Sequence, residues 1–310
     1  MNIISLKKMI PPSLRFLVKP YFRIFFPNKL IVSWWLTFRC NYTCSYCYIH
    51  TKHDFSEQFP KTCEKSPQEW LKILNELPPA MFLIQGGEPF LYNGIHEILD
   101  NFPEKHEIIA VITNLSFDPE IYKKLKRKIC LTTSFHREHC SKEEFQKKIL
   151  ELSENFNITV NFVATPENIP VIESLENTFK KKNITFHVDP YIDVDFKYSK
   201  EQLKLLNKYF KNDNNMKKNI ALDSYNFKCC HAGKNYINLL PNGKVYTCTN
   251  GMNYNHSPIR KKLLNGQSVE FFDMGNIFDD DFKLNDKPLS CNLPCKDLCD
   301  IAHTKISSKK

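Results

Sequence analysis

Leu30-Ile31-Val32-Ser33-Trp34-Trp35-Leu36-Thr37-Phe38-Arg39-Cys40-Asn41-Tyr42-Thr43-Cys44-Ser45-Tyr46-Cys47 decides how the chain is read. Leu30 to Phe38 is a strand, rich in the β-branched and aromatic residues that strands favour. Three cysteines then fall on the loop directly after it, spaced CxxxCxxC. Thiolates so close together can converge on three corners of an iron–sulfur cube, and soft thiolates suit iron–sulfur clusters or zinc. A structural zinc would want a fourth ligand, which His50 or His53 can supply. If three cysteines hold a four-iron cluster, the fourth iron stays open for a substrate or cofactor.

Outward from this stretch, strands and helices alternate. Helices are expected over Pro67–Leu77, with Ser66 as cap and Pro67 at the first helical position, Gly94–Phe102, Pro119–Arg127, Lys142–Asn155 and Asn168–Lys181. Strands are expected over Met81–Gln85, Ile108–Thr113, Ile129–Phe135, Ile158–Ala164 and Ile184–Asp189. Six strands with five intervening helices argue for an α/β fold, a parallel sheet curled into a partial barrel. Ligands in such folds sit at the carboxyl ends of the strands. From Asp193 to Lys228 the chain turns polar, with one helix at Lys200–Phe210. Beyond Cys229, Asn235–Leu240 and Lys244–Cys248 flank Pro241-Asn242-Gly243 and read as a hairpin. The expected organisation is a basic, apolar N-terminal arm (1–29), a core domain (30–192), a helical bridge (193–228) and a cysteine-rich C-terminal domain (229–310).

Composition narrows the function classes. With 310 residues, 42% hydrophobic and 25% charged, the chain is neither disordered nor fibrous. No run of eighteen apolar residues occurs, and Pro11 and Pro12 interrupt the basic N-terminus, so neither a spanning helix nor a signal peptide is read. A cytoplasmic location follows, where clustered cysteines hold metal or do redox chemistry rather than form disulfides. The N-terminal arm is expected to pack on the main domain rather than lie on a membrane surface. The net charge of +9 has no basic stripe interleaved with aromatics, so nucleic acid is not an expected partner.

The twelve cysteines form four sets: Cys40, Cys44, Cys47; Cys63, Cys130, Cys140; Cys229, Cys230, Cys248; and Cys291, Cys295, Cys299. Cys130, in an apolar strand, is expected in the core. Cys63 is expected to be exposed in a polar loop, and Cys140, after His136 and His139, to lie near the mouth of the fold. Gln85-Gly86-Gly87-Glu88-Pro89 closes the second strand. Adjacent glycines allow backbone to approach a ligand closely, and Glu88 can accept from a ligand ammonium.

Cys40-x3-Cys44-x2-Cys47 followed by Gly86-Gly87-Glu88-Pro89 resembles the radical S-adenosylmethionine (radical SAM) superfamily over residues 30–190. The resemblance implies a partial (β/α)6 barrel and a [4Fe–4S] cluster on Cys40, Cys44 and Cys47. S-adenosylmethionine would chelate the open iron and be cleaved to a 5′-deoxyadenosyl radical that abstracts a substrate hydrogen. It also implies Tyr46 near the adenine, Gly86 to Pro89 at the methionyl amino group, Asn114 of Thr113-Asn114 at the end of strand three, and Ser134 near the ribose or carboxylate. Asn161 is a weaker match, and Leu115 stands where the family often has glycine. The text around Cys230, Gly243 and Cys248 resembles the opening of SPASM and twitch auxiliary-cluster regions, as does Gly275-Asn276-Ile277. One auxiliary [4Fe–4S] cluster is expected, on Cys230, Cys248 and two of Cys291, Cys295 and Cys299, with zinc as the rival there. Cys229 is not expected to be a ligand.

Subfamilies with this extension modify peptides or proteins by crosslinking, epimerisation or oxidation; others dehydrogenate small, sugar-derived alcohols. Either would need a reducing partner such as flavodoxin or ferredoxin. Asp189 or Tyr191, after strand six, can face the cavity and move a proton. A non-catalytic zinc or electron-transfer module is the remaining reading, and it leaves the Gly-Gly-Glu-Pro turn unexplained.

Overall fold

A computed structural model describes residues 29–47, 49, 55–191, 196–210, 227–249, 251–252 and 272–291. Six strands follow the expected alternation: β1 (Leu30–Thr37), β2 (Ala80–Gly86), β3 (Glu107–Thr113), β4 (Cys130–Phe135), β5 (Asn157–Ala164) and β6 (Thr185–Pro190). They pair in sequential order, each parallel to the next. The intervening helices are α1 (Pro67–Glu76), α2 (Ile95–Asp100), α3 (Pro119–Lys123), α4 (Lys142–Leu152) and α5 (Ile172–Lys181); α6 (Lys200–Phe210) follows β6.

The two faces of the sheet differ, because strand side chains alternate. Val32, Trp34, Leu36, Phe82, Ile84, Leu131, Phe135, Val160 and Phe162 join one buried core with Trp70 and Leu74 of α1, Phe145 and Ile149 of α4 and Leu175 and Phe179 of α5. The opposite face is polar toward β6. Thr132, Thr159 and Thr185 stand abreast in one tier, and Ser134, Asn161 and His187 in the next. Cys130 belongs to this half-buried face, opposite Asn157, and not to the core the apolar context suggested. Its neighbour Leu131 takes the core position, and the period of two sends Cys130 the other way.

Local chemistry sets the helix ends. Ser66 caps α1 as expected and forms a capping box with Glu69, with Pro67 in the first turn. Gly94 lies outside α2, as its N-cap in the left-handed region at φ 97°. α3 stops at Lys123, short of Arg127, since Asp100 Oδ1 accepts the Lys126 N–H at 2.9 Å and draws the chain into a turn. The segment before α5 is a 3₁₀ turn, Ile169–Val171, around Pro170.

The C-terminal hairpin joins the core sheet, a placement the sequence did not announce. Its strands are β8 (Tyr236–Leu239) and β9 (Lys244–Tyr246); β7 (Phe227–Cys230) precedes them, and β10 (Asp273–Asn276) and β11 (Leu289–Cys291) follow. β8 runs parallel to β1, with Ile31 opposite Tyr236 and Trp34 opposite Leu239. β9 and β10 add antiparallel, which gives a nine-stranded sheet in the order β10-β9-β8-β1-β2-β3-β4-β5-β6. β1 thus has a partner on each side, which explains why all eight of its residues are buried. β7 and β11 form a separate antiparallel pair. No helix among the described residues is long and apolar enough to cross a membrane. Residues 1–28 of the N-terminal arm, His50, His53, Asp193, Cys295 and Cys299 lie outside the described residues.

Candidate active site at the carboxyl ends of the strands

The cysteine loop leaves β1 under tight control. Arg39, immediately before Cys40, makes a two-point contact with Glu64: Nε donates to Oε1 at 2.9 Å and Nη2 to Oε2 at 3.0 Å. Nη2 also donates to the Leu91 carbonyl at 2.8 Å. Such forked pairs fix direction as well as distance, so Cys40 enters the loop from a defined point. Cys44 is buried, while Cys40 and Cys47 are half-buried. The Cys47 N–H donates to the Cys44 carbonyl at 3.0 Å, closing a turn between them.

Neighbouring strand ends hold the rest of the loop. Asn114 Nδ2, at the end of β3, donates to Asn41 Oδ1 at 3.0 Å and lies 3.6 Å from Cys40 Sγ. Ser116 and Asn41 are also hydrogen-bonded. After β4, Glu138 accepts from Ser45 through both carboxylate oxygens, at 2.8 Å from N–H and 2.7 Å from O–H. His139 Nε2 accepts the Thr43 N–H at 3.2 Å, and its ring stacks on Tyr42. His136 Nδ1 lies 3.3 Å from Cys44 Sγ and 2.9 Å from the Tyr46 hydroxyl. These contacts were missed from sequence. The available signal was the His-Arg-Glu-His run directly after a strand, where ligand-facing residues are expected.

Burial pushes the Cys40 thiol up to about 11 and the Cys44 thiol up to about 12, in each case reinforced by neighbouring thiols and carboxylates. Both are therefore protonated at neutral pH, and a metal would have to displace protons to bind. Burial, then His139, pushes His136 down to about 4, so its ring is neutral.

The Gly-Gly-Glu-Pro turn packs against the start of this loop. Gly87 N–H donates to the Thr37 carbonyl and Glu88 N–H to the Arg39 carbonyl, both at 2.8 Å. A Cβ on either glycine would run into the backbone of residues 37–39; that close approach explains the pair. The Glu88 side chain does not reach outward as expected. It is fully buried, and its carboxylate accepts from the Asn114 N–H at 2.7 Å, the Phe90 N–H at 3.0 Å and the Thr113 hydroxyl at 3.0 Å. It ties the end of β2 to the end of β3. Burial dominates over those donors and raises its pKa to about 7. Leu115 takes the left-handed conformation at φ 57° with its side chain buried.

Beside the loop lies a cleft of about 400 Å³ lined by Ser45, Tyr46, Thr165, Pro166, Glu167, Tyr191 and Phe196. Tyr191, one of the two residues after strand six that can face a cavity, is among its lining residues. Asp189 is engaged: Asn161 Nδ2 donates to Oδ2 at 2.7 Å, and His187 Nε2 lies 3.0 Å from Oδ1. Ser134 stands opposite Asn161 on the same polar face.

Cys248 belongs to a second apolar cluster, built from Trp35, Phe38, Phe55, Phe59, Leu240 and Tyr246 among others, and Cys230 packs against it. Cys47 and Cys63 pack against the same cluster. Cys63 is thus half-buried rather than exposed, because its 3₁₀ turn (Lys61–Cys63) is drawn onto the hairpin, where the Lys65 N–H donates to the Pro241 carbonyl at 3.0 Å. Cys140 packs against the main core. Cys229 and Cys291 lie in the paired strands β7 and β11. Among the described residues no three His, Cys, Asp or Glu side chains close around a point that would hold a metal ion.

Residues 36–164 match the family model of the radical SAM superfamily. Over those residues the chain is similar to the radical SAM superfamily. It is 31% identical over 118 residues to the antilisterial bacteriocin subtilosin biosynthesis protein AlbA of Bacillus subtilis (strain 168), covering 35% of this chain and 25% of AlbA. It is 28% identical over 254 residues to the GTP 3′,8-cyclase of Aquifex aeolicus (strain VF5), covering 69% of this chain and 79% of the cyclase. The crystal structure of Streptococcus suis SuiB bound to S-adenosylmethionine superposes with a TM-score of 0.54 at 18% identity, over 82% of this chain and 65% of SuiB. SuiB bound to precursor peptide SuiA gives 0.53. At that identity the likeness is one of fold. The chain spans a quarter of the length of AlbA and under two thirds of SuiB.

Proposed function

We propose that Cys40, Cys44 and Cys47 hold a [4Fe–4S] cluster with one open iron for S-adenosylmethionine, and that the enzyme uses the resulting radical to modify a peptide or protein by crosslinking, epimerisation or oxidation. The observation that carries this reading is the cysteine loop itself. It offers three thiols in a row, soft donors suited to iron–sulfur, at the carboxyl ends of a parallel sheet where such folds bind ligands. It is anchored on both flanks, by Arg39–Glu64 and by Glu138–Ser45. When bound, the cluster supplies the electron that breaks the C5′–S bond of S-adenosylmethionine, giving methionine and a 5′-deoxyadenosyl radical that takes a hydrogen atom from the substrate. A reduced flavodoxin or ferredoxin is the proposed electron source.

The chain's own groups supply position and exclusion of water. Tyr46 lines the cleft beside the loop and offers a face for the adenine. The half-buried backbone of Gly86 and Gly87 is the accessible part of Gly86 to Pro89 for the methionyl amino group, since the Glu88 carboxylate is already used. Asn114 holds the loop at Cys40 and Asn41, and Ser134 faces the polar side of the sheet. We read residues 229–310 as a SPASM- or twitch-like region with one auxiliary cluster on Cys230, Cys248 and two of Cys291, Cys295 and Cys299. The support is that Cys230 and Cys248 border one apolar cluster. A cytoplasmic location belongs to the same reading.

The peptide substrate draws on AlbA, a bacteriocin biosynthesis protein, and on SuiB, solved with a precursor peptide. A small-molecule substrate is the second reading, favoured by the longer match to GTP 3′,8-cyclase. Anaerobic incubation of reconstituted protein with S-adenosylmethionine and dithionite tests the central step. 5′-Deoxyadenosine should accumulate with wild type and be lost with Cys44→Ala. No 5′-deoxyadenosine from iron-loaded wild type contradicts the proposal. Saturable binding of a candidate peptide without S-adenosylmethionine separates the two substrate classes.

A further inference from the structure

We propose that His136 is a positioning residue for the cluster: with iron bound, its Nδ1–H donates to Cys44 Sγ and raises the cluster's reduction potential. This rests on the reading of Cys40, Cys44 and Cys47 as cluster ligands. The geometry points to it in three steps. First, the segment 136–139 touches every residue from Tyr42 to Tyr46. His139 stacks on Tyr42 with ring centroids 4.4 Å apart and accepts from Thr43, Glu138 accepts from Ser45, and His136 meets Cys44 and Tyr46. Second, that segment is itself a closed turn. The His139 and Cys140 N–H groups donate to the His136 carbonyl at 3.0 and 3.1 Å, so the imidazole is carried on a fixed backbone. Third, the chemistry of the pair selects a tautomer. A metal-bound cysteine is a thiolate, which only accepts. The tautomer that hydrogen-bonds to it is the one with the proton on Nδ1, 3.3 Å from that sulfur, whereas without iron the Tyr46 hydroxyl, 2.9 Å away, can donate to the same nitrogen. With iron bound, the Tyr46 hydroxyl accepts a share of that N–H.

A hydrogen bond to a ligand sulfur stabilises the more negative, reduced cluster and so raises its potential. Removing it lowers the potential. Packing alone would be insensitive to where the donor sits.

The test compares full-length wild type, His136→Asn, His136→Gln and His136→Phe after anaerobic reconstitution, reading iron per chain, the reduced-cluster electron paramagnetic resonance signal and the midpoint potential. Asn presents its amide nitrogen where Nδ1 was, and Gln presents it at the Nε2 position. Asn should titrate with wild type. Gln and Phe should shift to lower potential, with the reduced-to-oxidised ratio at a fixed poise falling about tenfold, which is about 59 mV for one electron. Loss of iron in Gln with retention in Asn supports the donor equally. Should Phe fail to hold iron, the Asn–Gln pair decides. One midpoint shared by all variants, or Asn shifting as far as Gln, overturns the proposal. Equal iron in wild type and a Cys40/Cys44/Cys47→Ala variant instead removes the cluster reading beneath it.

Discussion

Leu115 shows how a single residue can work against its own backbone. A left-handed conformation costs a non-glycine residue roughly 1–2 kcal/mol, yet the side chain here is 2% exposed and its burial offsets that cost. Ordinarily alanine is less damaging than glycine. At this position the order should reverse, with Leu115→Gly about 1 kcal/mol more stable than Leu115→Ala in urea unfolding, since both lose the buried leucine and only glycine relieves the strain. The opposite order would mean the strain is absent. Glu88 makes a second case. Its folded pKa of about 7 lies above the ordinary 4.5, so the folded state binds the extra proton. Its stabilising contribution is complete below about pH 4.5 and is lost as pH rises through about 7. Metal-free protein should therefore lose stability between pH 5 and 8, and Glu88→Gln should flatten that decline. A wild-type slope that persists unchanged in the variant would assign it to another group.

At the scale of elements, the strand-to-loop junctions carry the design. Glu64 is held by Arg39 on one side and accepts the Thr37 hydroxyl on the other, with its side chain 5% exposed. Breaking one half of a buried pair typically costs about 3–5 kcal/mol. Glu64→Ala should cost about that in chemical denaturation and should also lower iron retention, because Arg39 sets the entry of the cysteine loop; a loss under 1 kcal/mol would show that the pair is not structural. Period and punctuation made the core elements legible. Ser66-Pro67 announced α1, and the apolar runs of β1 to β6 announced a parallel sheet. Two kinds of feature were not legible. Residues with the right character but the wrong parity, such as Cys130, cannot be placed until register is known, because a shift of one residue reverses the face. Side chains that act across the ends of different strands, such as Glu138 on Ser45 or Asn114 on Asn41, have no local signature.

For the whole molecule, the telling feature is that β8 pairs with β1, so the C-terminal hairpin and the strand that leads into the first cysteine loop share one sheet. Asn238 of β8 is fully buried and its Oδ1 accepts the Trp35 Nε1–H at 3.0 Å. Asn238→Ala orphans that indole and should cost about 1–3 kcal/mol. If the hairpin belongs to the core, tryptophan fluorescence and far-ultraviolet circular dichroism should shift together in one transition, whereas a separate early transition would mark the hairpin as independent. The sequence anticipated a hairpin flanked by Cys230 and Cys248, but the strand it pairs with lies about two hundred residues away, beyond any periodicity argument. The central claim is that the loop at 40–47 and the C-terminal cysteines each hold an iron–sulfur cluster. Its most direct test is iron per chain after anaerobic reconstitution, wild type against Cys40/Cys44/Cys47→Ala. The account predicts about eight irons falling to about four. About four falling to nearly none would contradict the auxiliary site, and an unchanged count would contradict the cluster on the loop.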